Sequence, residues 1–218
     1  MLLLALDTST TAITVALRGP GTSAEVSVLD ARGHSERLAP LVLDVLAQAG
    51  RSAEEVTDVV VGTGPGPFTG LRVGIVTGLV FGHARGLPVH GICSLDALAV
   101  DAASQVRDGE FLVATDARRK EVYWVRYLAV DGIPQALSEP AVDRPAELSA
   151  DLRALPTAGR GPVLFPDLFP EPLALLDVQA GSLAGLALRR LADGVPMPVE
   201  PLYLRRPDAL TTAERGRA

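Results

Sequence analysis

Met1-Leu-Leu-Leu-Ala-Leu-Asp7-Thr-Ser-Thr-Thr11-Ala-Ile-Thr-Val-Ala-Leu-Arg18-Gly-Pro-Gly21 is the stretch whose reading sets the fold. Its apolar residues 2 to 7 close on an acid, which predicts a buried first strand. Residues 12 to 18 carry Ile13, Thr14 and Val15 in succession, the β-branched content of a second strand. Gly19-Pro20-Gly21 is a turn, and 23 to 29 return as a third strand. Working outward, Leu38, Leu41, Val42, Val45, Leu46 and Ala49 recur at helical spacing over 37 to 49 and stop at Gly50. A strand at 56 to 62, a helix at 70 to 85, a strand at 87 to 92 and a helix at 94 to 106 complete the order βββαβαβα. That order is an α/β lobe whose sheet begins as a meander and continues by crossovers, so the sheet is mixed.

Near Asp108-Gly109 the pattern restarts, with strands at 110 to 115 and 121 to 129 and a turn at Asp131-Gly132. A short helix is expected at 145 to 154. The five prolines between 156 and 172 predict a loop with at most one strand, at 163 to 165. A helix at 182 to 192, a last strand at 200 to 206 and a frayed tail after Pro207 finish the chain. The expected organisation is two lobes, 1–106 and a smaller 107–218, with the C-terminal segment packing back on the first.

At 218 residues, 48% hydrophobic and 21% charged, the composition is that of a folded globular protein. Twenty basic against 26 acidic residues, a net charge of −6, disfavour independent tight nucleic-acid binding. The single Cys93 excludes an internal disulfide framework and any cysteine-cluster metal site, and its apolar neighbours predict a buried, inert thiol. His34, His83 and His90 lack the spacing of a metal pair, so no metal is expected. Asp7 interrupts the N-terminal apolar run and no basic segment precedes it. No stretch is long enough to span a bilayer, so a soluble, cytoplasmic protein without a membrane partner is expected.

Four segments carry candidate function. Gly62-Thr-Gly-Pro-Gly-Pro-Phe-Thr-Gly-Leu-Arg72 joins strand to helix, but Leu71-Arg72 stand where a Walker loop needs Lys-Ser/Thr, and Pro65 and Pro67 have no amide hydrogen. A rigid turn capped by Thr69 is the reading it supports. Behind it Gly70, Gly74, Gly78 and Gly82 recur every four residues. Each helical glycine costs about 1 kcal/mol relative to alanine, so a stripe implies close approach of another backbone. Because the remaining faces are apolar, this helix needs cover on both sides. Ala39, Leu43 and Ala47 form a second apolar ridge on the 37–49 helix. Two readings are open: the helices pack on each other inside the lobe, or together they build a protein–protein interface of Ala39, Leu43, Ala47, Gly70, Gly74, Thr77, Gly78, Phe81 and Gly82.

Asp7, Thr8, Ser9 and Thr10 occupy the strand-end position where sugar kinases, actin and the heat-shock ATPases face phosphates; a local Asx/ST turn is the alternative. At the equivalent place in the second lobe, Ala117 and Arg118 stand where backbone would need glycine to approach a phosphate, against classical ATP hydrolysis. Arg118, Arg119 and Lys120, with Tyr123 and Trp124 nearby, are candidate RNA contacts, or simply a solvated turn.

With Leu4-Ala-Leu-Asp7-Thr-Ser-Thr10, Arg32-Gly-His34-Ser-Glu-Arg-Leu38-Ala-Pro40, Gly62 through Arg72, Ser94-Leu-Asp-Ala-Leu98, Asp116-Ala-Arg-Arg-Lys-Glu-Val-Tyr123 and Glu200-Pro-Leu-Tyr-Leu-Arg205, the chain closely resembles the TsaB (YeaZ) family. The resemblance covers roughly residues 1 to 128 and the 200–205 stretch. It implies the actin-like ATPase (ASKHA) fold, with two ribonuclease-H-like lobes. It further implies a non-catalytic subunit without a cofactor of its own. Such a subunit pairs with its paralogue TsaD and, through that pair and the ATPase TsaE, supports transfer of threonylcarbamoyl to N6 of adenosine 37 in ANN-decoding tRNA (t6A). The tRNA is met through the complex, and the subunit alone forms homodimers through the same two helices. In TsaD a His-x-x-x-His pair follows the equivalent of Pro88-Val89; here Gly91 and Leu95 stand at those places. Asp7 to Thr10 then read as a vestigial nucleotide site. The competing expectations are an active ATP-dependent transferase or glycopeptidase-like enzyme, and a self-sufficient homodimer.

Overall fold

A computed structural model describes residues 1–30 and 33–205. Strands β1 (Leu3–Asp7), β2 (Ala12–Gly19) and β3 (Thr22–Leu29) form the expected meander, followed by α1 (His34–Gln48), β4 (Asp58–Gly62), α2 (Phe68–Arg85), β5 (Val89–Ile92) and α3 (Ser94–Val106). The five strands lie in the order β3-β2-β1-β4-β5, antiparallel through β1 and parallel from β1 to β5. β1 and β4 are central and buried along their whole length, which is why both read as unbroken apolar runs.

The second half supplies β6 (Gly109–Asp116), β7 (Val122–Val130), β8 (Ile133–Ala136), β9 (Ala141–Asp143), α4 (Ala150–Arg153), β10 (Thr157–Ala158), α5 (Gly161–Leu164) and α6 (Ala180–Ala192). Its sheet runs β10-β6-β7-β8, with β9 also paired to β7.

Side-chain alternation along β1 divides the molecule into layers. Leu4 and Leu6 face α1 and α2, meeting Leu38, Val42, Val45, Leu71 and Ile75. Leu3 and Ala5 face the other way, into a core shared by α3, α6 and the inner residues Phe111, Val113, Val125 and Tyr127 of the second sheet. Beyond that sheet, Leu112, Ala114 and Val122 are covered by Leu148 and Phe169. α6 packs on the first sheet, whose residues cap it: Ala180 N donates to Thr14 Oγ1 and Gly181 N to Glu25 Oε1, both at 3.1 Å. α3 lies against the second sheet, where Tyr127 donates to Asp96 Oδ1 at 2.9 Å and Arg190 of α6 reaches Asp96 Oδ2 at 2.7 Å.

The structure differs from the sequence reading in four places. The expected helix at 145–154 is broken into a 3-10 turn at Pro145–Glu147 and the single turn of α4. Residues 163–165 are not a strand, because Pro162 starts the one-turn helix α5; the strand of this region is β10. β8 and β9 were not expected: Pro134 argues against a strand, but at a sheet edge proline is tolerated, and Asp131 and Gly132, at φ 52° and 76°, make the tight turn that delivers it. Residues 200–205 are irregular rather than a strand, and the tail after Pro207 lies outside the described residues.

Candidate functional site

The end of β1 is where the two lobes and the Gly-Pro loop converge. Parallel pairing sets Leu6 opposite Val61, which brings Asp7 beside Gly62. Asp7 is fully buried. Its Oδ1 accepts from Ser9 N at 2.8 Å and Ser9 Oγ at 2.7 Å, the local Asx turn; its Oδ2 accepts from Ser94 Oγ at 2.6 Å. Ser94, at the start of α3, also accepts from Gly64 N at 3.1 Å. Only glycine fits at 62, since a Cβ would stand 2.6 Å from Ser94 Oγ and closer still to the Asp7 carboxylate.

Burial pushes the Asp7 pKa above the ordinary carboxylate value, against the opposing pull of its hydrogen bonds from Ser94 and Ser9. The folded protein therefore holds a proton that the unfolded chain releases, so Asp7 favours folding at low pH. That advantage is lost as pH rises from the unfolded pKa through the folded one. Asp7→Asn is expected to flatten the corresponding fall, read as denaturant midpoint against pH; an unchanged profile would show that Asp7 does not titrate out of step.

Thr8 is equally committed. Its hydroxyl donates to Gly70 O at 2.8 Å and accepts from Gly74 N at 3.0 Å, wedging between two groups that face each other one turn apart in α2. Ser9 is buried, whereas Thr10 is half-buried and lines the cleft between the lobes. Thus Asp7, Thr8 and Ser9 join the loop, α2 and α3 to the sheet rather than facing an open ligand site. The cleft between Thr10, Thr11, Thr115 and Asp116 holds only about 10 Å³, and the adjoining space lined by Thr10, His34, Pro67, Gly70 and Arg118 about 130 Å³.

The Gly-Pro loop is tied down by backbone hydrogen bonds, but Thr69 does not cap it. Pro67 holds the N-cap position without a side-chain hydrogen bond, and Thr69 is exposed within the first turn. Ser94 N donates to Gly64 O at 2.7 Å and Thr63 N to Ile92 O at 2.8 Å, fixing the loop to β5 and α3.

The glycine stripe requires a correction. Gly70, Gly74, Gly78 and Gly82 are all buried, and they face the chain's own sheet and first hairpin. A Cβ at Gly78 would overlap Val61 Cγ1, one at Gly74 the Thr8 hydroxyl, and one at Gly82 Val89. The close approach they permit is of α2 to its own lobe, so these four residues cannot present a surface to another chain. Thr77 and Phe81 are half-buried. At 100° per residue, Val76 and Val80 lie about 200° from Gly74 and Gly78, on the opposite face. There Val76 is 54% and Val80 61% exposed, beside exposed Leu79; on neighbouring α1 Leu43 is 68% exposed, with Ala39 and Ala47 also exposed. The sequence reading found the α1 ridge and the apolar residues on the other faces of α2, Val76, Leu79 and Val80 among them, but assigned the glycines rather than these three to the interface.

Arg118, Arg119 and Lys120 form the β6–β7 turn and are exposed. All three have left-handed backbones, at φ 62°, 53° and 63°, a conformation costing a non-glycine residue about 1–2 kcal/mol. Arg118 pairs with Asp116 at 3.0 Å, and its amide donates to Asp116 Oδ1 at 2.7 Å. Cys93 packs against the core, where burial, then the nearby Asp96 carboxylate, pushes its thiol up to about 12, so it is protonated at neutral pH. Among the described residues no three His, Cys, Asp or Glu side chains are grouped to hold a metal ion, and no helix is long and apolar enough to cross a membrane.

Comparison with known proteins places this arrangement. A family model described as "TsaD: tRNA N6-adenosine threonylcarbamoyltransferase" matches residues 27–191. The tRNA threonylcarbamoyladenosine biosynthesis protein TsaB of Escherichia coli is 35% identical, the match covering 94% of this chain and 95% of that protein. Protein ML0378 of Mycobacterium leprae is 44% identical over 95% of this chain, which spans 56% of that longer protein. The solved structure of YeaZ from Pseudomonas aeruginosa superposes with a TM-score of 0.80 at 32% identity, covering 93% of this chain and 99% of that one. The two mixed sheets are those of the actin-like ATPase fold, and the chain belongs to the TsaB (YeaZ) family.

Proposed function

We propose that this chain is an accessory, non-catalytic subunit in the formation of t6A on tRNA. It docks a TsaD-type paralogue through the outward face of α1 and α2 and holds it in a productive arrangement. The observation that carries this reading is a contrast within one lobe. Asp7 and the hydroxyls of Thr8 and Ser9 at the end of β1 are consumed by internal hydrogen bonds, while Leu43, Val76, Leu79 and Val80 stand uncovered on adjacent helices. Large apolar side chains exposed together on neighbouring helices are the kind of surface that serves association. In this reading Ala39, Leu43, Ala47 and Thr77 remain interface residues, joined by Val76, Leu79 and Val80 in place of the buried glycines. The same face serves homodimers when the partner is absent, and a TsaE-type ATPase is met through the assembled pair. Arg118 to Lys120 are positioned to touch tRNA held by the complex.

The family's biosynthetic role in relatives supports the pathway, and the TsaD family match over 27–191 supports a shared fold with the partner it pairs with. The test is reconstitution: the TsaD-type and TsaE-type proteins of the same organism, unmodified ANN-decoding tRNA and threonylcarbamoyl adenylate, with and without this chain. A 1:1 complex and t6A formation that depends on this chain are expected. Full t6A formation without it, or turnover by this chain alone, would overturn the proposal.

A further inference from the structure

After α6 the chain does not leave the molecule; residues 195–205 turn back and cross from one lobe to the other. Gly91 N, at the edge strand β5, donates to Met197 O at 2.9 Å, and Leu202 N donates to Thr63 O at 2.9 Å in the Gly-Pro loop. Gly91 is built for this passage: a Cβ there would stand 2.9 Å from Val199 Cα and closer still to Pro198 O, so any side chain would displace the strap.

The end of the strap touches both surfaces assigned above. Tyr203 packs on Phe68 with ring centroids 5.2 Å apart and accepts from Arg72 Nε at 3.0 Å, while the Arg72 guanidinium lies 3.7 Å above the Phe68 ring. Phe68 and Arg72 belong to the first turns of α2, and both line the open apolar groove that continues to Val76. Two residues on, Arg205 donates to Ala117 O at 3.0 Å and forms an ion pair with Glu121. Those are the residues that close the β6–β7 turn, where Ala117 N donates to Glu121 O at 3.1 Å and Glu121 N to Arg118 O at 3.0 Å. Arg205 thus grips both sides of the strained turn that presents Arg118, Arg119 and Lys120.

From this continuous set of contacts we infer that residues 197–205 are a clasp that couples the N-terminal end of α2 to the basic β6–β7 turn. A change in the setting of Arg72 and Tyr203 on one lobe alters the order of the turn on the other. The clasp gives a partner docked on α2 a physical route to the basic turn. It borrows from the proposed function only the identity of α2 as a docking face, and its test uses no partner.

The experiment is amide hydrogen exchange on the full-length protein, following Ala117 and Glu121, with β1 amides reporting that the fold is intact. Arg205→Ala removes the grip directly and is expected to speed exchange at both amides by about tenfold. Tyr203→Ala, which removes the strap's contacts with Phe68 and Arg72 on the first lobe, is expected to speed the same two amides. Gly91→Ala, which pushes on the far end of the strap, is expected to act in the same direction. Combining Tyr203→Ala with Arg205→Ala should add little to Arg205→Ala alone, since both release one device. Wild-type exchange at Ala117 and Glu121 in Tyr203→Ala, with β1 protected, would overturn the coupling. Full additivity in the double variant would do the same. Either result would leave docking at α2 standing or falling on its own test.

Discussion

Gly62→Ala is expected to lower the stability of this protein by about 3–5 kcal/mol, a fall of roughly 6–20 °C in Tm. The change adds one methyl group, but that methyl has nowhere to go. Gly62 ends β4, a strand buried along its length between β1 and β5. Neither neighbour can recede without opening the central ladder. The Cβ must displace the Asp7 carboxylate, which is buried and holds three hydrogen bonds from Ser9 and Ser94. Breaking hydrogen bonds to a buried polar group is costly because no water replaces them. Gly185→Ala is the matched control: it lies in α6 with open space around its Cβ and an ordinary helical backbone, so it should be neutral or stabilising. Thermal melts of the two variants side by side check the claim, and equal melting temperatures would refute the role given to Asp7 as the knot of the first lobe.

The second large effect is on association. Val76→Glu with Val80→Glu should leave the isolated protein folded, since both positions are exposed and outward-facing. Two carboxylates placed in the middle of an apolar contact lose their hydration when a partner covers them, a cost of about 3 kcal/mol or more that corresponds to roughly 100-fold weaker binding. Titration calorimetry with the TsaD-type partner reads this directly; undiminished affinity would move the docking surface elsewhere. Gly78→Arg would be a misleading probe of the same idea. Gly78 faces Val61, so an arginine there damages the lobe before it meets any partner.

The first lobe was legible because its signals are local. The run ending in Asp7, the β-branched strand 12–18, the Gly19-Pro20-Gly21 turn and the helical spacing of 37–49 each specify an element, and together they give the strand and helix order observed. The glycines of α2 announced a close backbone approach, and one exists. Their spacing carries no information about which neighbour approaches, and here it is the sheet.

In the second lobe the elements are short and hold their conformation through tertiary contacts. β9 and β10 have three and two residues, too few for periodicity to register. The strap from 195 to 205 is irregular, and its purpose depends on Gly91, Thr63, Arg72 and Glu121, which lie between 84 and 139 positions along the chain from the strap residues they meet. Asp7 was visible as a candidate, but its role turned on Ser94, 87 residues away, whose hydroxyl closes the carboxylate to any ligand.

The central claim is that this subunit acts by docking and not by chemistry at the end of β1. One reconstituted t6A assay tests it most directly, with the TsaD-type and TsaE-type partners supplied and this chain added as wild type, Asp7→Asn or Val76→Glu/Val80→Glu, each verified as folded. The account predicts near wild-type t6A formation with Asp7→Asn and its loss with the double variant. Loss of t6A with folded Asp7→Asn, alongside full activity of the double variant, would contradict it and return the search to a reaction at Asp7.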